Sequence, residues 1–154
     1  MRRRRSPRLP RHAHPHGRDE AASASGTIAT SSPGLRTIHL GGHAPCSRAV
    51  VVETRSGPAI ITSDEVYLYR LLEEAILPAI RTSEAAYEEA TRRLVTLAEE
   101  TGGVLVPLHD PAVWKAYEEH GDGWLEALRP LSERACAGYR RAGGLGRGGG
   151  RSSR

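Results

Sequence analysis

The sequence predicts an α/β fold: a small sheet with helices packed on it, flanked by arginine-rich stretches at both ends. Three observations carry this reading. Short Val/Ile-rich runs at residues 35–40, 47–54 and 59–62 have the length and composition of strands. Ala86, Ala90, Leu94, Leu97 and Ala98 recur at helical spacing. The composition also changes sharply along the chain. Residues 1–26 hold seven Arg against Asp19 and Glu20, and residues 134–154 hold six Arg and no acid. A whole-chain net charge of +4 therefore hides an acidic middle, residues 27–133.

Residues 1–26, without periodicity and rich in Arg, Pro, His and Ser, are expected to be a disordered tail. Order is expected to begin near Leu35, with a strand ending at Gly41-Gly42. The run at 47–54 pairs with residues 59–62 across the turn Arg55-Ser56-Gly57-Pro58, as a hairpin. Its unbroken Val/Ile content suggests strands covered on both faces. A helix is expected from Val66 to Ile76, stopping before Pro78. Ser83 is placed as the N-cap of a longer helix that ends at Gly102-Gly103. Residues 104–106 are a short buried strand, and His109-Asp110-Pro111 opens another helix through Trp114 and Tyr117. Trp114 and Trp124 are expected to anchor the core. Residues 134–154 are expected to be a second disordered tail. About four strands result, with nothing to cover the second face of the sheet.

Composition narrows the function classes. The basic tails could hold nucleic acid by counterion release. Yet the middle is acidic, no aromatics are interleaved with the arginines, and one Lys among so many Arg, with no Phe, points to coding bias. Nucleic acid is therefore not the expected partner. Two distant cysteines, Cys46 and Cys136, give no disulfide framework and suit a cytoplasmic protein. No apolar run approaches the ~20 residues that span a bilayer, and no secretion signal is readable after Met1-Arg-Arg-Arg-Arg.

The residues suited to chemistry are His43, Asp64 and His109. Each follows an apolar, strand-like run, and each sits in a stiff phrase: Gly42-His43-Ala44-Pro45, Thr62-Ser63-Asp64-Glu65 and Pro107-Leu108-His109-Asp110-Pro111. Side chains at strand ends project from a rigid element into a cleft. Two imidazoles and a carboxylate suit borderline cations such as zinc. Each residue also has a plain structural role open to it: His43 as a surface or cap residue, Asp64 as the N-cap of the following helix, and His109, with Asp110-Pro111, as no more than a helix start.

With those phrases in view, the chain resembles the metallo-β-lactamase-fold hydrolases. Gly41-Gly-His-Ala-Pro-Cys-Ser47 is similar to their Gly-His-Thr-Pro-Gly-Ser segment. Ser63-Asp-Glu-Val-Tyr-Leu-Tyr69 resembles the Asp-x-x-Tyr segment of the N-acyl homoserine lactonase branch, and Leu105-Val-Pro-Leu-His-Asp-Pro111 its Pro-Gly-His-Asp-Pro element. The likeness covers roughly residues 34–117 and implies the C-terminal half of such an enzyme, about one half of an αββα sandwich. It implies His43 on one zinc, His109 on the other, Asp64 bridging them, and Tyr67 facing a lactone or ester substrate. The implied chemistry is two-metal hydrolysis, in which zinc lowers the pKa of water to about 7.

The sequence also departs from the family. The His-x-His-x-Asp-His run that supplies the remaining ligands is absent; His12-Ala-His14-Pro-His16-Gly17 has His and Gly where Asp and His are required. Ala44, Cys46, Glu65, Leu71 and Leu108 replace residues usual in the family. The expectation is a lactonase-like zinc hydrolase that, as it stands, is weak or inactive. Its alternatives are a non-catalytic remnant of a truncated or frame-disrupted copy, and a thioesterase-like or glyoxalase II-like relative. The small-molecule substrate is the expected partner, with self-association through the uncovered sheet face.

Overall fold

The computed structural model describes residues 28–144, so the expectations for residues 1–26 and for the Gly/Arg tract beyond residue 144 lie outside it. In chain order the elements are β1 (Ile28–Ser32), β2 (Leu35–His39), β3 (Arg48–Thr54), β4 (Gly57–Ile61), a 3-10 turn (Ser63–Glu65), α1 (Tyr69–Glu73), α2 (Glu84–Thr101), β5 (Val104–Val106), α3 (Pro111–His120), a second 3-10 turn (Gly121–Gly123) and α4 (Trp124–Arg141). The α/β expectation holds. The sheet has five strands in the order β1-β2-β3-β4-β5. The added strand, β1, lies in the Ser/Thr-containing stretch before Leu35, and it is carried by antiparallel pairing with β2. Strands β1 to β4 form an antiparallel meander, and β5 joins β4 in parallel. A parallel neighbour needs a long crossover, and α2 supplies it.

The register explains which residues are core. Ile38 pairs with Ala49, Val51 with Ile60, and Ile60 with Leu105, so these share one face. All five are buried, and the Ala90, Leu94 and Ala98 side of α2 packs in the same core. Gly103, just after α2, has Ile60 Cδ1 2.8 Å from where a Cβ would stand, so the chain turns into β5 hard against this core.

The opposite face carries Val50, Val52, Ala59 and Ile61. Val50, Val52 and Ile61 are only half-buried. Among the described residues, the coverage on both faces expected from the continuous Val/Ile runs is therefore realised on one face only. On the other side α3 and Trp124 leave an apolar groove of about 410 Å³, lined in part by Val52, Ile61, Leu108, Trp114 and Tyr117. Trp114 is 66% exposed, not a core anchor; Trp124 does pack against the core.

Two more expectations are corrected. The helix placed over residues 66–76 shrinks to Tyr69–Glu73, because Thr62 Oγ1 donates to the Val66 carbonyl and residues 66–68 stay extended. The tail placed at residues 134–154 begins too early. Helix α4 runs through to Arg141 and buries Ala135, Cys136 and Tyr139, with Arg134, Arg140 and Arg141 among the exposed residues of the same amphipathic helix. Gly138 lets α4 meet α1 closely: a Cβ there would lie 2.6 Å from the Glu73 carbonyl oxygen. Ser132 Oγ on α4 accepts the Leu105 N–H at 2.9 Å, satisfying a donor of the terminal strand β5. No helix among the described residues is long and apolar enough to cross a membrane.

Helix α4 is thus part of the folding unit. Leu128, at 0% exposure, tests this: Leu128→Ala is expected to lower the unfolding free energy by about 2–5 kcal/mol in chemical denaturation. A loss of under ~1 kcal/mol would mean that α4 does not share the core.

Candidate active site

Strand direction sets the location. Strands β2 and β4 both run antiparallel to β3, and β5 runs parallel to β4, so β2, β4 and β5 all end at the same edge of the sheet. His43 lies in the loop after β2, Asp64 in the turn after β4, and His109 just after β5. The carboxyl ends of strands are where open α/β sheets place their ligands.

The His43 loop is tied down at many points. Leu40 N donates to the Ser47 carbonyl at 2.9 Å, Ala44 N to Ser47 Oγ at 3.0 Å, and Thr82 N to the Gly42 carbonyl at 2.7 Å. His39 Nε2 donates to the Pro45 carbonyl at 2.6 Å, so this strand histidine braces the loop. Gly41, at φ +76°, makes the turn out of β2. Around Asp64 the backbone is strained: Ser63 sits at φ +52°, a left-handed conformation unusual for a residue with a Cβ. Thr62 N donates to the Val106 carbonyl at 3.2 Å, joining the ends of β4 and β5.

The three predicted residues come together. His109 Nε2 lies 2.8 Å from Asp64 Oδ1, and His43 Nε2 lies 3.9 Å from Asp64 Oδ2, so one imidazole stands beside each carboxylate oxygen. His43 Nδ1 lies 3.2 Å from the Ile80 carbonyl. A carbonyl only accepts, so Nδ1–H donates to Ile80, and Nε2 is the ring nitrogen that faces Asp64. The His43 side chain is mostly buried (15% exposed), whereas Asp64 and His109 are about half open, at 45% and 54%.

Tyr67 stands between the imidazoles. Its ring centroid is 5.7 Å from that of His43 and 4.9 Å from that of His109, and its phenol oxygen is 3.4 Å from His43 Nδ1. Partial desolvation, with the charges of Asp64 and Glu65, raises its pKa, so it remains an O–H donor at neutral pH. Tyr69 turns the other way: it is 3% exposed, and its hydroxyl donates to the Leu105 carbonyl at 2.6 Å.

Two residues do more than the sequence suggested. Asp110 was expected only at a helix start. Its Oδ1 does accept Ala112 N at 2.9 Å as the α3 cap, but its Oδ2 also accepts Tyr69 N at 2.9 Å, at the start of α1. One carboxylate therefore fixes two helix N-termini beside the site. Glu65, next to Asp64, is fully buried, and its Oε2 accepts the His43 backbone N–H at 3.1 Å. Burial raises its pKa, partly offset by the backbone amides of His43 and Gly42. A cap signal was visible for Asp110; nothing in the sequence marked Glu65 as buried.

As a metal centre, these residues have the right donor types but too few donors. Zinc takes about four ligands. Among the described residues no group of three or more His, Cys, Asp or Glu has the arrangement to hold a metal ion. His109 and Asp64 hydrogen-bond to each other instead of facing a shared point. The convergence is present, but a closed metal site is not.

No family model matches the chain. It is similar to N-acyl homoserine lactonase AttM of Azorhizobium caulinodans, with 34% identity over 86 residues, covering 55% of this chain and 33% of the relative. It is equally similar to the AttM lactonase of Rhizobium johnstonii, at 34% over 86 residues. The chain thus spans about a third of the length of the curated relatives it matches. Among solved structures, an N-acyl homoserine lactone hydrolase with N-hexanoyl-L-homoserine bound at its catalytic metal centre matches with a TM-score of 0.53 at 21% identity, over 58% of this chain and 36% of that one. A variant of AiiA from B. thuringiensis with N-decanoyl-L-homoserine bound gives the same values. The resemblance read from the sequence therefore holds: this chain carries part of the metallo-β-lactamase fold and is similar to the N-acyl homoserine lactonases.

The Asp110 cross-link gives a prediction for the scaffold. Asp110→Ala strands the N–H groups of Tyr69 and Ala112 together and is expected to cost about 1–3 kcal/mol in denaturant unfolding. Asp110→Asn, which retains an acceptor, should cost less. A loss of under ~0.5 kcal/mol for Asp110→Ala would exclude the cross-link.

Proposed function

We propose that this chain carries one side of a lactonase-like hydrolase site, with His43, Asp64 and His109 as metal ligands and Tyr67 as the group that meets a lactone or ester carbonyl. The observation that supports this most is the convergence of the two imidazole Nε2 atoms on the two oxygens of one carboxylate. Zinc, when bound, would supply Lewis acidity and a water acidic enough to attack an ester at neutral pH. The tautomer of His43, set by the Ile80 carbonyl, keeps Nε2 free to ligate. Asp64 accepts from His109 and faces His43 Nε2 across 3.9 Å, and the half-exposed His109 and Asp64 leave the approach open. Tyr67, protonated and flanked by both rings, is placed to donate to a developing oxyanion or a departing ring oxygen. The short-chain product seen in one structural relative and the longer one in another make N-acyl homoserine lactones the substrate class of first interest.

The same geometry limits the activity. Three ligands do not complete two zinc sites, and His109 must give up its bond to Asp64 before both can bind metal. On this reading the chain by itself binds zinc weakly and opens lactones slowly or not at all. The free thiols of Cys46 and Cys136 accord with a cytoplasmic setting.

Metal analysis of the full chain dialysed against zinc tests the assignment. Weak, substoichiometric zinc is expected, falling further in His43→Ala. Zinc content unchanged by His43→Ala would remove the ligand assignment. Fast turnover of an N-acyl homoserine lactone by the purified chain would show that its site is more complete than proposed here.

A further inference from the structure

We propose that Glu65 is the positioning residue of this site, its buried carboxyl holding the Gly42-His43 peptide so that the His43 imidazole faces Asp64. The side chain is 0% exposed. Oε2 accepts the His43 N–H at 3.1 Å, while Oε1 makes no hydrogen bond of good geometry among the described residues and lies against Gly42, whose amide favours the charged carboxyl only from a poor angle. The space beside Gly42 admits nothing else: a Cβ there would lie 1.9 Å from Oε1 and 2.9 Å from the Ala90 methyl. The backbone of Glu65 is itself fixed, since the Tyr87 hydroxyl donates to its carbonyl.

Burying a carboxyl with one oxygen poorly paired costs free energy that an apolar side chain of the same size would avoid. The return on that cost lies in what the other oxygen holds. Glu65 follows Asp64 directly in the chain and grips the amide of His43, so the turn after β4 and the loop after β2 cannot move independently. The two facing groups of the site are thereby kept in register, and the Ile80 carbonyl then selects the ring tautomer. The proposal takes the purpose of the site from the hydrolase reading, but the geometry can be tested without any activity.

The test is nitrogen-15 NMR of the histidine rings of the full, metal-free chain at mildly alkaline pH, for wild type, Glu65→Gln and Glu65→Leu. Wild type is expected to show His43 protonated at Nδ1. Glu65→Leu should shift the His43 ring signals towards a tautomer average, with the His109 ring unchanged as the internal control. Glu65→Gln, which retains an oxygen for the His43 amide, should keep the wild-type pattern. A merely structural role would lower the melting temperature and leave the His43 ring as it is; that result, in folded Glu65→Leu, overturns the proposal. If Glu65→Leu does not fold, Gly42→Ala replaces it, because its methyl displaces the carboxyl, and an unshifted His43 ring then overturns the proposal equally. A shifted ring in a chain that binds no zinc would keep the positioning role and sink the hydrolase reading.

Discussion

The parallel pairing of β5 with β4 is the constraint from which the site follows. A meander alone would bring the ends of β2 and β4 to one edge, each with its loop. Adding β5 in parallel puts a third carboxyl end beside them, and with it His109. The cost is an 18-residue crossover helix, and that helix also covers the face of the sheet bearing Ile38, Ala49, Val51 and Ile60. Packing and chemistry are thus served by one topological choice.

Around that edge the fixings are polar and local. Asp110 satisfies donors at the starts of α1 and α3, Thr62 ties β4 to β5, and Ser47 closes the loop that carries His43. Such bonds to backbone groups resist displacement because breaking one leaves a partly buried donor less well satisfied than before. The result is a rim in which Asp64 and the imidazoles are held within a few ångströms of one another while staying partly open to solvent. The strained conformation of Ser63 fits this pattern, since unfavourable backbone survives only where the surroundings over-determine it.

Much of this was legible in the residues. The N-cap at Ser83, the left-handed stop at Gly102 and the Asp110-Pro111 helix start carry local signals, and the structure has all three. Local signals fail where tertiary contact decides. Val66 to Leu68 has a helical pattern, yet the chain there is held extended by Thr62 and leads to a helix start fixed by Asp110, 41 residues away. Helix α4 was hidden by its own arginines: charge on the exposed face of an amphipathic helix looks like a polar tail when apolar residues are few. Strand β1 has no apolar alternation of its own and exists through its pairing with β2. At the site, the convergence of His43, Asp64 and His109 could be foreseen from strand ends, whereas the burial of Glu65 depends on the space beside Gly42, which no pattern of spacing encodes.

The half-bare side of the sheet has a consequence for the life of this protein. Leu108, Trp114 and Tyr117 stand more than half exposed beside strand residues that no other described residue fully covers. Chaperones and proteases recognise wet aromatic and aliphatic surface of this kind. Among the described residues this is therefore the surface most open to capture by such factors, whatever the equilibrium stability of the core.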